Sequence, residues 1–127
     1  MTMLKLALLG DAAACAASGL LLAGGAGLLA APLGLPEALL RGAGLFLIPW
    51  ACLVALAGLS AAPRRGAVLA IIVLNALWVL DSLLLAAGTF GLAPSHLGQA
   101  FILVQAAVAG GFTALQILAL RRAAVAA

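Results

Sequence analysis

Apolar residues run along this chain in four long stretches, at about residues 4–31, 36–61, 67–87 and 95–120, separated by short segments that hold Pro32, Pro63 and Pro94 and the Arg64/Arg65 pair. Each stretch is long enough to cross a bilayer, since about 20 apolar residues rising about 1.5 Å each cover a hydrocarbon core of about 30 Å. The pattern predicts an all-α integral membrane protein, a four-helix bundle with up-down-up-down connectivity and short loops. Residues 1–127 then form a single transmembrane domain.

Polar residues inside these stretches carry the remaining information. The third, AVLAIIVLNALWVLDSLLLAA, holds Asn75, Trp78, Asp81 and Ser82. At spacings of three and four these share one broad helical face, which must look inward because Leu, Ile and Val cover the rest. The first stretch follows Lys5 and contains Asp11, with Gly10, Ala14 and Ser18 forming a row of small residues that lets helix backbones approach closely. Ala12 to Ala14 before Cys15 imitate a signal sequence, but Asp11 and the continuing apolar run predict that this span is retained. Pro32, Gly34 and Pro36 are expected to close it.

The second stretch begins with Glu37 and Arg41, four residues apart and able to pair, and Pro49 at its middle is expected to kink it and free the carbonyl of Leu45. Arg64 and Arg65 mark a hairpin, and Ser95 is placed to cap the fourth helix. That helix carries Gln99, Gln105, Thr113 and Gln116 as well as a second small-residue row, Ala106, Gly110 and Ala114.

Counting from each membrane edge sorts the polar groups into three layers. Arg41, Asp81 and Gln99 fall in an outer layer, Asn75 and Gln105 near the midplane, and Asp11 and Gln116 in an inner layer. A charge in hydrocarbon is costly without a partner, so Arg41 and Asp81 are the candidate intramembrane ion pair, either fixing helix register or forming an ion, proton or substrate site. Asp11 has no cation at its own level. It is the candidate proton-linked acid, unless its carboxyl simply bonds Gln116 or Thr113. Trp50 and Trp78 lie near the midplane and not in the interfacial belts, which predicts packing inside the bundle or against a partner.

Composition agrees and adds orientation. Hydrophobic residues make up 68% of the chain and charged residues 7%, with a mean hydropathy of +1.37, outside the range of soluble domains. Lys5, Arg64, Arg65, Arg121 and Arg122 fall on one side, which places both termini in the cytoplasm of a cell with the chain in its inner membrane. These basic clusters flank apolar runs, a topology signal and not a nucleic-acid surface. Cys15 and Cys52 lack metal or disulfide spacing, and the single histidine, His96, excludes bis-histidine haem ligation, so no metal or cofactor is expected. No serine, cysteine or acid has the neighbours that hydrolysis needs, which argues against an enzyme.

In size and span number the chain is comparable with small multidrug-resistance exporters and fluoride channels. It carries neither signature: the first-helix acid is Asp11 without an aromatic cage, and RGAGLF at 41–46 is too short a match. The sequence therefore supports a non-enzymatic membrane subunit or interaction protein, embedded in the lipid bilayer and packed against itself or a larger membrane protein. The alternative is a small proton-coupled transporter or channel using Asp11 and the Arg41/Asp81 layer.

Overall fold

A computed structural model describes residues 2–126, with side chains described for residues 2–122. It contains α1 (Met3–Leu33), α2 (Glu37–Leu59), α3 (Arg65–Ala86) and α4 (His96–Ala126), and no strand among the described residues. All four helices are long and apolar enough to cross a membrane, the fourth over His96–Arg122. The protein is thus an all-helical, multi-pass membrane bundle.

The helix ends follow local chemistry. Thr2 caps α1, its hydroxyl accepting from the Lys5 amide at 3.2 Å. At the other end α1 runs through Pro32, which does not close it. The turn is made two residues later by Gly34, at φ 66°, where the Gly34 and Leu35 amides donate back to the carbonyls of Ala31 and Ala30. That pairing satisfies the last carbonyls and needs a left-handed residue, the conformation glycine adopts without strain. α2 continues unbroken through Pro49.

Ser95 joins two helices. Its hydroxyl accepts from the Gly98 amide at 3.0 Å, capping α4, and donates to the Pro32 carbonyl at 2.6 Å, while its own amide donates to the Leu33 carbonyl at 3.0 Å. The end of α1 is therefore pinned to the start of α4. A Cβ at Gly98 would collide with the Leu33 carbonyl, so this contact also depends on a missing side chain.

Helix α1 packs closely along α2, α4 packs on both α1 and α3, and the α2 and α3 backbones stand further apart, bridged by side chains. Around the bundle the order is α2, α1, α4, α3, with one open seam. The α1/α2 contact is built on glycines. A Cβ at Gly44 would collide with the Ala23 backbone and lie 2.7 Å from the Gly19 carbonyl, and one at Gly58 would lie 2.9 Å from the Leu9 side chain.

The small-residue rows read from sequence are distributed differently. Gly10 seats the Phe112 ring, which a Cβ there would approach to 2.7 Å, but Ala14 and Ser18 face a cavity. Ala106 is buried, Gly110 has open space where a Cβ would stand, and Ala114 faces outward. Close backbone approach falls instead to Gly19, Gly44 and Gly98, while Gly58 makes room for the Leu9 side chain. Two apolar clusters fill the bundle, one around Leu22, Leu40 and Ile102 and one around Leu8, Val54 and Val68, and Trp50 packs against both.

Candidate functional site

One polar network joins all four helices. Asp11 of α1, 2% exposed, accepts at Oδ2 from Asn75 Nδ2 of α3 at 2.7 Å and from Gln116 Nε2 of α4 at 2.9 Å. Its Oδ1 accepts from the Cys15 thiol at 3.5 Å, and Asn75 Oδ1 in turn accepts from the Trp50 indole of α2 at 3.3 Å. Asp11 lies eight residues from the start of α1 and Asn75 ten from the start of α3. At about 1.5 Å per residue this is a difference of about 3 Å along the bundle, well within the reach of an amide side chain. The middle and inner layers therefore merge at Asn75.

Every hydrogen bond to Asp11 in this network is one it accepts. Gln116 Oε1 is buried with no hydrogen-bond partner. Thr113 takes no part, since its hydroxyl donates to the Ala109 carbonyl at 2.7 Å.

A second network ties α3 to α4. Gln105 Oε1 accepts from the Trp78 indole at 2.9 Å, and its Nε2 donates to the Ser82 hydroxyl at 2.9 Å and to the Ile102 carbonyl at 3.0 Å. Ser82 donates to the Trp78 carbonyl at 2.8 Å. Gln99 reaches the Ala86 carbonyl at 3.3 Å and so serves the exposed end of α3.

Arg41 and Asp81 do not pair, contrary to the depth argument. Arg41 meets Glu37 Oε1 at 2.8 Å, one turn back on its own helix, and both side chains are about half exposed, at 47% and 49%. The α2 and α3 backbones approach closely at few points, and Arg41 lies within reach of Glu37 on its own helix. Asp81 has no ion-pair or hydrogen-bond partner among the described residues.

The open seam leaves a cavity of about 850 Å³ lined by all four helices. A neighbouring one of about 540 Å³ shares with it Ser18, Leu47, Trp78, Asp81, Phe101 and Gln105. Asp11, Asn75 and Trp50 also line the larger cavity. Phe46 crosses the seam, its ring stacked on Trp50 at 6.3 Å and on Trp78 at 6.0 Å between centroids. Trp50 and Phe46 were not among the site residues that sequence reasoning selected. The available signal for Trp50 was its midplane position, since a buried indole N–H needs an acceptor.

Compared with protein-family models, with curated proteins and with solved structures, the chain matches none.

Proposed function

We propose that this is a non-enzymatic binding protein or carrier of the inner membrane, which takes an amphiphilic guest from the bilayer into the cavity between its helices. The observation that carries this reading is the half-open cleft of about 850 Å³ between the helices, a volume in the range of ligand sites, which are typically apolar with a few convergent polar groups. The lining fits that description. It is mainly Leu, Phe and Trp, with Asp81, Gln105, Asn75 and Asp11 set among them.

The chain contains two tryptophans and both line the cavity, so intrinsic fluorescence reports on its contents. In neutral-lipid nanodiscs, a nitroxide-labelled amphiphile is expected to quench Trp50 and Trp78 saturably at low mole fraction. Ser18→Leu, which places a larger side chain where both cavities meet, is expected to remove the saturable part. Quenching that rises only in proportion to probe content, unchanged by Ser18→Leu, would show lipid-facing tryptophans and no binding site.

A second reading, a subunit packed against another membrane protein or a second copy, is supported by a different feature. Gly24, Gly110 and Gly111 have nothing within reach of a Cβ, so glycines stand on outward faces with no packing role inside the chain. That reading expects a discrete complex in mild detergent. A monomer that quenches saturably favours the binding protein.

A further inference from the structure

We propose that the guest is a lipophilic organic cation, an amine or quaternary ammonium on an apolar body, held by Asp81 beside the aromatic rings of the seam. The proposal rests on the reading of the cavity as a binding site and adds the charge of what it binds. Two carboxylates, Asp11 and Asp81, line the larger cavity and Asp81 also lines the smaller, whereas no Lys, Arg or His lines either. The chain has six Lys and Arg residues and a net charge of +3, so the absence of cations from these walls runs against its overall balance.

The two acids are not equivalent. Asp11 is enclosed and accepts from Asn75, Gln116 and Cys15. Asp81 is exposed toward the open space, and the cation nearest it by depth, Arg41, is held by Glu37. A carboxylate at membrane depth with no partner among the described residues is the group that a cation from outside would complete. Trp78 lies one helical turn before Asp81 and its ring stacks with Phe46, while Phe101 lines the same walls. Aromatic faces attract ammonium groups through the ring quadrupole, most strongly where water is excluded.

The same walls exclude other guests. An anion would meet two carboxylates and no countercharge. A small inorganic cation would exchange its hydration shell for one free carboxylate and apolar carbon. A neutral amphiphile fits the volume but gains nothing from Asp81.

Two nitroxide probes of equal chain length, one ending in trimethylammonium and one in an uncharged hydroxyl, separate these possibilities in zwitterionic-lipid nanodiscs. The ammonium probe is expected to reach half-saturation of Trp quenching at a mole fraction at least tenfold lower. Asp81→Asn is expected to remove that advantage while leaving quenching by the hydroxyl probe unchanged. This variant should fold, because the carboxylate it replaces bonds to no described residue, and the hydroxyl probe checks that the cavity is intact. Equal affinity for the two probes, or a preference that survives Asp81→Asn, overturns the assignment while leaving a binding cavity. Absence of saturable quenching by either probe overturns the cavity reading as well.

Discussion

Asp11 is the residue on which the four helices converge, and its environment shows how a carboxylate is kept inside a membrane bundle without a cation. Two amide donors and a thiol take the place of water. Removing the acceptor strands the donors: Asp11→Ala leaves Asn75 Nδ2 and Gln116 Nε2 buried and unpaired. That is expected to cost about 1 to 3 kcal/mol for each group left without a partner. Asp11→Asn keeps an oxygen for one donor and adds an N–H that Gln116 Oε1 can accept, so it should retain most of the stability. Steric-trap or detergent unfolding of the two variants checks the ranking, and an alanine variant as stable as the asparagine one would show that the network contributes nothing. Asp81 illustrates the converse. Its inward-facing group of Asn75, Trp78 and Ser82 was legible from spacing, but its partner was not, because spacing along α3 says nothing of how far away α2 stands.

At the scale of helices, the bundle divides its glycines by role. Gly44 sits where the α1 and α2 backbones touch, and a Cβ there would meet the Ala23 backbone and the Gly19 carbonyl. Backbone cannot move aside as a flexible side chain can, so Gly44→Ala is expected to part the helices and cost about 1 to 3 kcal/mol, the range seen for overpacked cores. Gly24→Ala adds a methyl to open space on the same α1 helix and should be neutral or stabilise by up to about 1 kcal/mol through helix propensity. Unfolding of the pair in one detergent series checks this. A loss at Gly24 equal to that at Gly44 would indicate that a contact outside the chain, and not the α1/α2 contact, governs both, since helix propensity alone favours alanine. Sequence spacing located small-residue rows of which Gly10 and Ala106 meet neighbours while Gly110 and Ala114 do not, since a small residue in lipid marks close approach only on the face that has a neighbour.

At the scale of the whole molecule, connectivity brings together the start of α1, the loop from α2 to α3 and the end of α4. Arg122 reaches the Met3 sulfur at 3.8 Å, consistent with that shared end. Lys5, Arg64, Arg65, Arg121 and Arg122 gather there, which is the basis for expecting this end in the cytoplasm. A reporter inserted at Ala62 is expected to stay cytoplasmic and one at Thr89 to be exported. The reverse pattern would invert the orientation and place Phe90 and Leu92, which line the smaller cavity, on the cytoplasmic side.

What the sequence determined by itself was everything that depends on one helix and its solvent. Hydropathy set the four spans to within a few residues at most ends, because the cost of exposing backbone in lipid leaves the helix as the only way across for such runs. Helical spacing set which polar residues share a face. What only the tertiary structure decided was which of those faces meet. The pinning of α1 to α4 by Ser95, the glycine contact of α1 with α2 and the parting of α2 from α3 are relations between segments. They depend on shape complementarity and lateral distance, which neither hydropathy nor depth encodes. Depth and spacing did place Gln116 with Asp11 and Glu37 with Arg41, but only the packing brought Asn75 to Asp11 and left Asp81 facing the cavity.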